Sequence, residues 1–179
     1  MGFDEFLTTH GEEERLAPNQ YVFRQGEMDA SIYVLRQGIL KAFYLSESGS
    51  EMIKSFVFPG EIIGSLASAH WGEKATFNLV ALDESVLLKI NFQLLYSNAQ
   101  SDLNLARDVM DRLLRYGRQK EDRERELLTL SAESRYRALL EDAPDGLRRI
   151  KQKDIARYLG ITPVALSRIR GKSKIQHLE

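Results

Sequence analysis

The stretch KQKDIARYLGITPVALSRIRGK, residues 151–172, has the pattern of two short helices joined by a tight turn. Gly160 can adopt the left-handed conformation that ends a first helix. Thr162 can cap a second helix, and Pro163 fits its first position because the N–H that proline lacks has no helical partner there. The apolar residues then fall where the two helices would face each other: Ile155, Ala156 and Leu159 on the first, and Ile161, Leu166 and Ile169 on the turn and the second. The sequence therefore predicts a helix-turn-helix.

Basic residues crowd around this motif. Nine lysines and arginines lie between Arg148 and Lys174, against the single acid Asp154. Two packed helices of any helical domain can share the apolar pattern, but here the outward positions are also basic, as phosphate neutralisation requires. These positions are Lys151, Lys153, Arg157, Arg168, Arg170 and Lys172. The chain has net charge −1, divided as −6 over residues 1–100 and +5 over residues 101–179, and this asymmetry favours DNA binding by the carboxy-terminal part.

The composition argues against several other functions. The 179 residues include no cysteine, which rules out disulfides and cysteine-ligated metal centres. No apolar run is long enough to span a membrane, and the acidic amino-terminal segment lacks the order of a signal peptide, so we expect a cytoplasmic protein with no membrane association.

The histidines do not suggest catalysis. His10, His70 and His177 are scattered along the chain, and no Ser–His–Asp or P-loop pattern occurs. A cupin-type metal site needs several histidines and carboxylates that converge, whereas His70 is the only histidine of the strand-rich region. We expect it to form a loop-tip pair with Trp71, and we expect neither a metal site nor an enzyme.

Residues 17–90 have the pattern of short, regularly spaced strands. The segments QYVFRQG, SIYVLRQGILKAFYLS, EMIKSFVFPGE and VALDESVLLKI are rich in β-branched and aromatic residues, and turn signals such as Gly38 and Pro59-Gly60 bound them. No helix-sized segment alternates with these strands, although SLASAH, residues 65–70, can form a short helix. The pattern predicts an α+β protein whose N-terminal part is a jelly-roll barrel, that is, a double-stranded β-helix.

Helical patterns follow this region. The segment NFQLLYSNA predicts a short helix capped by Asn91, and a long helix is expected at about residues 101–128. One narrow apolar stripe runs along its first half at three- and four-residue steps: Leu103, Ala106, Met110, Leu113 and Gly117. This stripe can pack on the chain's own barrel or pair with a second copy, and the length of the helix favours a dimer interface.

The remaining segments complete the predicted organisation. The polar run RQKEDRERE, residues 118–126, is expected to be a helix solvated on every side and stabilised by opposite charges four residues apart. Ser131 and Ser134 are candidate caps of a further helix, and a turn is expected at residues 143–146. We expect one domain at residues 1–128, which includes the long helix, and a helix-turn-helix domain at residues 129–179.

A strand-rich barrel, a long helix and a terminal helix-turn-helix together resemble the Crp/Fnr family of cAMP receptor protein/FNR-type transcription regulators. The resemblance covers nearly the whole chain, and its best markers are FPGEIIGSL in the barrel and IKQKDIARYLGITPVALSRIR near the carboxy-terminal end. It implies a homodimer joined along the long helix, a cyclic-nucleotide-binding-like domain that senses an effector, and double-stranded DNA and RNA polymerase as partners. A regulatory adaptor that binds small molecules or proteins but not DNA is the alternative.

The resemblance also locates an effector pocket, at Gly64, Ser65, Leu66, Lys74, Ala75 and Thr76. In nucleotide-binding members a glutamate at the position of Ser65 holds the ribose, and an arginine at the position of Ala75 neutralises the cyclic phosphate. Lys74 is adjacent, but one residue along a strand turns a side chain to the opposite face. Because a buried phosphate without a paired cation is costly, we expect this pocket not to bind cAMP. The sequence determines neither whether an effector exists nor which small molecule would act as one, and no cofactor is assigned.

The DNA contacts implied by the resemblance divide into two groups. Arg168 matches a position where the family contacts guanine, and its guanidinium can meet O6 and N7 together. Other early positions of the recognition helix that can reach bases are Thr162, Val164 and Ser167, and the expected phosphate contacts are Gln152, Lys153, Arg170 and Lys172. Family members often carry a β-hairpin wing after this helix, and GKSKIQHLE is too short to form one.

Overall fold

A computed structural model describes residues 1–142 and 144–175 of the chain. These residues divide into two compact units, one that ends at Arg118 and one that begins at Gln119, and the division falls within one long helix. The helices are α1 (Phe3–His10), α2 (Leu66–Trp71), α3 (Phe92–Ser101), α4 (Leu103–Thr129), α5 (Ala132–Asp142), α6 (Pro144–Arg148), α7 (Gln152–Tyr158) and α8 (Pro163–Ile175). The strands are β1 (Glu12–Leu16), β2 (Tyr21–Phe23), β3 (Ser31–Gln37), β4 (Leu40–Leu45), β5 (Glu51–Val57), β6 (Ile62–Ile63), β7 (Asn78–Ala81) and β8 (Ser85–Asn91).

The strands form two four-stranded antiparallel sheets. Their orders are β1-β8-β3-β6 and β2-β7-β4-β5, so strands from both halves of the region alternate between the sheets, as in a jelly roll. Gly38 makes one of the connections possible, because its φ is +97° and a Cβ there would lie 2.2 Å from the Ser85 hydroxyl. The predicted jelly-roll fold and α+β class are confirmed, although the two sheets do not close into a complete barrel.

Two apolar cores stabilise this first unit. The core between the sheets consists of side chains that alternate inward along the strands: Leu16, Phe23, Tyr33, Leu35, Leu40, Ala42, Val57, Ile63, Ala75, Phe77, Leu79, Ala81 and Leu87. A second core lies on the outer face of the β3–β8 sheet, where α1, α3 and the start of α4 pack: Phe3, Phe6, Leu7, Ile32, Val34, Ile90, Leu95 and Leu105. Both cores are fully apolar apart from the Tyr33 hydroxyl, so their stability comes from area removed from water.

The helix ends agree closely with the sequence patterns. The Asn91 carboxamide oxygen accepts from the Leu94 N–H at 3.0 Å, and the Ser131 hydroxyl accepts from the Ser134 N–H at 3.1 Å, so both predicted caps are confirmed. The long helix begins slightly later than predicted, because Asp102 separates it from α3 and accepts from the Leu105 N–H at 3.2 Å.

One local prediction is wrong. The sequence predicts a turn at residues 143–146, but Pro144–Arg148 is a short helix, and Ala143 lies outside the described residues. Proline is well suited to the first position of a helix, and Asp145 in the first turn complements the helix dipole, so residues typical of a turn here begin a helix instead. No helix among the described residues is long and apolar enough to cross a membrane.

Candidate nucleic-acid interface and effector pocket

The two helices of the motif are joined as the sequence predicts. Gly160 has a φ of +69° and ends α7, and the Thr162 hydroxyl accepts from the Ala165 N–H at 3.2 Å, capping α8. The Ile161 N–H donates to the Ala156 carbonyl at 3.0 Å, and the Gly160 N–H donates to the Arg157 carbonyl at 3.1 Å. This pair of hydrogen bonds is the Schellman motif, which fixes the direction of the turn.

The apolar side of the motif is buried and its opposite side is exposed. The inner residues are Ile155, Ala156, Leu159 and Leu166, with Tyr136, Leu139, Leu147 and Ile150 buried in the same unit. Ile161 and Ile169 are half-buried. In α8, exposed residues that face away from this core are already found in the first turn. In helix-turn-helix proteins, this end of the second helix enters the major groove.

The predicted DNA-contacting residues lie almost entirely on the exposed side. Thr162, Val164, Ser167 and Arg168 are exposed on the first turns of α8, and Val164 keeps 63% of its surface accessible. Arg170 is half-buried, and Lys172 lies beyond the side chains that the structure describes. Gln152 and Lys153 are exposed at the start of α7, where the free N–H groups of a helix terminus also favour phosphate.

Asp154, the one acid of the basic stretch, is buried. It retains 2% of its accessible surface, and its Oδ1 lies 3.9 Å from Arg157 Nη1. Its burial removes a negative charge from the surface that the basic residues form. In the sequence, Asp154 reduces the net positive charge of the basic stretch. Its burial on the inner side of α7 shows that this carboxylate does not face a bound polyanion.

Two arginines that the sequence analysis does not select contact the end of α7. Arg123, on α4, lies with its guanidinium carbon 3.7 Å from the Tyr158 ring centroid and donates to the Tyr158 carbonyl. Burial lowers the pKa of the Arg123 guanidinium. The prediction that residues 118–126 form a helix solvated on every side is therefore wrong at Arg123, although Arg125 does pair with Asp122 on the exposed side at 3.3 Å. Arg135, on α5, donates to the Leu159 carbonyl at 2.8 Å.

The residues predicted for the effector pocket separate into buried and exposed groups. Ser65 and Ala75 each keep 2% of their surface, and Ala75 belongs to the core between the sheets. Lys74 and Thr76 are exposed. Leu66 lines a groove outside the sheets, and a Cβ on Gly64 would lie 3.0 Å from the Ser31 carbonyl, so the chain needs glycine for this close approach.

Aromatic rings occupy the space between the sheets near Ala75. The Phe23 and Phe77 rings meet edge to face at 5.2 Å, and the Tyr33 ring lies 6.2 Å from Phe23. The Tyr33 hydroxyl donates to Asp29 at 3.1 Å. The Ser65 hydroxyl, although buried, has no hydrogen-bond partner among the described residues. The core between the sheets is apolar apart from the Tyr33 hydroxyl, which suits an anionic nucleotide poorly.

The ammonium group of Lys54 lies against this aromatic cluster. Lys54, on β5, has its Nζ 4.4 Å from the Phe77 ring centroid and donates to the Tyr116 hydroxyl at 3.3 Å. Burial raises the pKa of the Tyr116 phenol, so that hydroxyl stays protonated. Lys54 could not be selected from the sequence, because its partners Phe77, just before β7, and Tyr116, on α4, lie far from it in the chain.

An apolar groove of about 460 Å³ lies between α2, α3 and α4. His70 and Trp71 form its rim with ring centroids 4.8 Å apart, and His70 also contacts Phe92 and Tyr96 at 5.4 and 5.2 Å. The pair therefore ends a helix and joins an aromatic cluster rather than standing at a loop tip. No group of three or more potential metal ligands converges anywhere in the part of the chain that the structure describes.

The first half of α4 has two apolar sides. Leu105 is completely buried in the outer core, with Val109 packed against it, while Ala106, Met110 and Leu113 of the predicted stripe line the groove. Leu103, Met110 and Leu113 on that stripe keep 66%, 60% and 48% of their surface exposed, Ala106 is half-buried and Gly117 is exposed. Leu105 and Val109, which lie outside the predicted stripe, thus provide the packing of α4 on the outer core, and the large side chains of the stripe stay largely exposed.

Comparison with known proteins agrees with this architecture. Residues 13–102, half of the chain, match the model of the cyclic nucleotide-binding domain. Regulatory protein HlyX of Actinobacillus pleuropneumoniae is 32% identical over 167 residues, which cover 86% of this chain and 68% of HlyX. Transcriptional activator protein Anr of Pseudomonas protegens is 30% identical over 165 residues, which cover 86% of this chain and 67% of Anr.

The fold likewise has solved counterparts. The structure of FixK2 from Bradyrhizobium japonicum superposes with a TM-score of 0.81 at 19% identity, covering 93% of this chain and 86% of FixK2. HlyX and Anr are a regulatory protein and a transcriptional activator, so these relatives define the class as that of transcription regulators with a cyclic nucleotide-binding domain. Within that class, the chain belongs to the Crp/Fnr family.

Proposed function

We propose that this protein is a DNA-binding transcription regulator that acts as a homodimer on a palindromic site. The observation that carries the proposal is the exposed first half of α8, which presents Thr162, Val164, Ser167 and Arg168 while its other side is held by the buried core of the motif. Residues 1–128 would form the regulatory domain and residues 129–179 the DNA-binding domain. The expected place of action is the cytoplasm, with RNA polymerase as a further partner.

Arg168 is assigned to base recognition. It is exposed on α8 one helical turn after Val164, so the two side chains lie on the same face of the helix. The guanidinium can donate to O6 and N7 of one guanine, and Val164 can contact a thymine methyl. Gln152, Lys153, Arg170 and Lys172 are assigned to phosphates, which fix the position of the protein without specifying sequence.

The stripe on α4 is assigned to dimerisation. Three large apolar side chains at Leu103, Met110 and Leu113 remain largely exposed on one side of a long helix, and such a strip is stabilised when a second copy covers it. Gly117 and Ala106 are small, so two helices could approach closely there. A dimer of this kind would place two recognition helices about 34 Å apart, at successive turns of DNA.

The effector pocket is assigned to a ligand other than cAMP. Neither Ser65 nor Ala75 provides the anchor that nucleotide-binding relatives have at these positions, and the neighbouring Lys74 is exposed. The effector is an unidentified small molecule.

Binding of the purified chain to DNA tests the proposal directly. Selection from random duplexes should enrich a palindrome, and the affinity for it should fall steeply and linearly with salt on logarithmic axes. Sedimentation at micromolar concentration should show a dimer, alone or on DNA. Absence of any salt-sensitive DNA binding would favour the adaptor, and a monomer on DNA would refute the assignment of α4.

A further inference from the structure

The carboxy-terminal end of α7 receives hydrogen bonds from outside its own backbone. The Schellman pair satisfies the carbonyls of Ala156 and Arg157. The next two carbonyls, those of Tyr158 and Leu159, accept from arginine side chains that belong to other helices. Four successive carbonyls at the start of the turn are thus satisfied, which accounts for the groups that a helix end leaves without an intrahelical partner.

The two arginines reach this point from different directions. Arg123 comes from α4, stacks on the Tyr158 ring and donates to the carbonyl of the same residue. Arg135 comes from α5 and donates with Nη2 to Leu159 at 2.8 Å and with Nη1 to the Leu130 carbonyl at 2.6 Å. One guanidinium therefore joins the segment that ends α4 to the segment that ends α7.

Arginine has the properties that this position requires. Cations near a helix carboxy terminus interact favourably with its dipole, and hydrogen bonds from a charged donor to a carbonyl are stronger than neutral ones. The planar guanidinium can stack on a ring and donate in its own plane at the same time, which the ammonium of lysine cannot do. Arg123 makes both contacts with the same residue, Tyr158, which is the last residue of α7 before the turn.

We propose that Arg123 and Arg135 are positioning residues, which fix the turn of the helix-turn-helix to α4 and α5 so that the affinity for DNA depends on where α4 holds Arg123. The inference rests on the proposed function, because its consequence is a change in DNA binding. Arg123 is half-buried and stacked on the Tyr158 ring, and it is not among the residues assigned to bases or phosphates. The role is distinct from a DNA contact: it sets the orientation of α8 through the end of α7.

The test compares Arg123→Met with Arg125→Met in the full chain. Both changes remove one positive charge from α4, but Arg125 is exposed and pairs with Asp122. We expect Arg123→Met to weaken binding to the selected duplex about tenfold, equivalent to about 1.4 kcal/mol, and Arg125→Met to change it less than twofold. The slope of log affinity against log salt should be unchanged, since no phosphate contact is lost. Arg123→Lys keeps the charge and should weaken binding as Arg123→Met does.

Hydrogen exchange of the free protein provides a second measurement. The amides of Gly160 and Ile161 donate within the turn, so their exchange should accelerate about tenfold in Arg123→Met and remain unchanged in Arg125→Met. If the wild type bound no DNA, the proposed function would fail while this comparison still decided the role of Arg123. Equal exchange and equal affinity in the two variants would overturn the inference. The inference would also be overturned if Arg123→Lys bound DNA with the affinity of the wild type, or if Arg123→Met reduced the slope of log affinity against log salt by about one.

Discussion

Replacing Gly160 with alanine should destabilise the helix-turn-helix through the backbone alone. The φ of Gly160 is +69°, and a Cβ at this position would meet no described atom within 4 Å. The left-handed conformation costs an L-residue about 1–2 kcal/mol. Alanine also restricts the unfolded chain, which offsets about 0.4–1 kcal/mol. The net loss should therefore be about 1 kcal/mol, and Gly160→Asn should lose less because asparagine tolerates this region better.

A matched substitution at Gly171 should change the stability in the opposite direction. Gly171 lies within α8 with an ordinary helical backbone, where alanine is favoured over glycine by about 0.8–1 kcal/mol. Gly171→Ala should therefore stabilise the same unit. Native-state hydrogen exchange gives the free energy of opening at the amides of Leu159 and Ile161, which donate to carbonyls of α7. If Gly160→Ala and Gly171→Ala changed these free energies in the same direction, the backbone explanation would be refuted.

Three further experiments test the proposed function. Arg168→Ala should abolish the base preference at one position of each half-site in a selection experiment, a loss of about 1–3 kcal/mol in discrimination. If it instead weakened binding equally to all sequences and reduced the salt slope by about one per site, Arg168 would be a phosphate contact. Calorimetry with cAMP and cGMP should detect no tight site because of Ser65 and Ala75, and micromolar affinity would contradict this. Met110→Glu should yield monomers in sedimentation by placing like charges together, whereas Asn104→Glu, an exposed position of α4 outside the stripe, should leave the dimer intact.

The helix-turn-helix could be predicted because its signals are local. A glycine with positive φ, a threonine cap and a proline at the first helical position act within a few residues, and the apolar spacing identifies the buried side of each helix. The strands were likewise predicted from short-range alternation and turn residues. The error at residues 143–146 also comes from local signals. Proline and aspartate are common both in turns and at helix starts, so the local sequence does not distinguish the two.

Other features were decided only by the tertiary structure, because they depend on contacts between segments far apart in the chain. The burial of Asp154 follows from which side of α7 faces the core, and the contact of Lys54 with Tyr116 joins β5 to α4. A run of alternating charges predicts a solvated helix, and nothing within it distinguishes Arg123 from Arg125. What distinguishes them is Tyr158, more than thirty residues later, whose ring and carbonyl are brought to α4 only when the second unit folds.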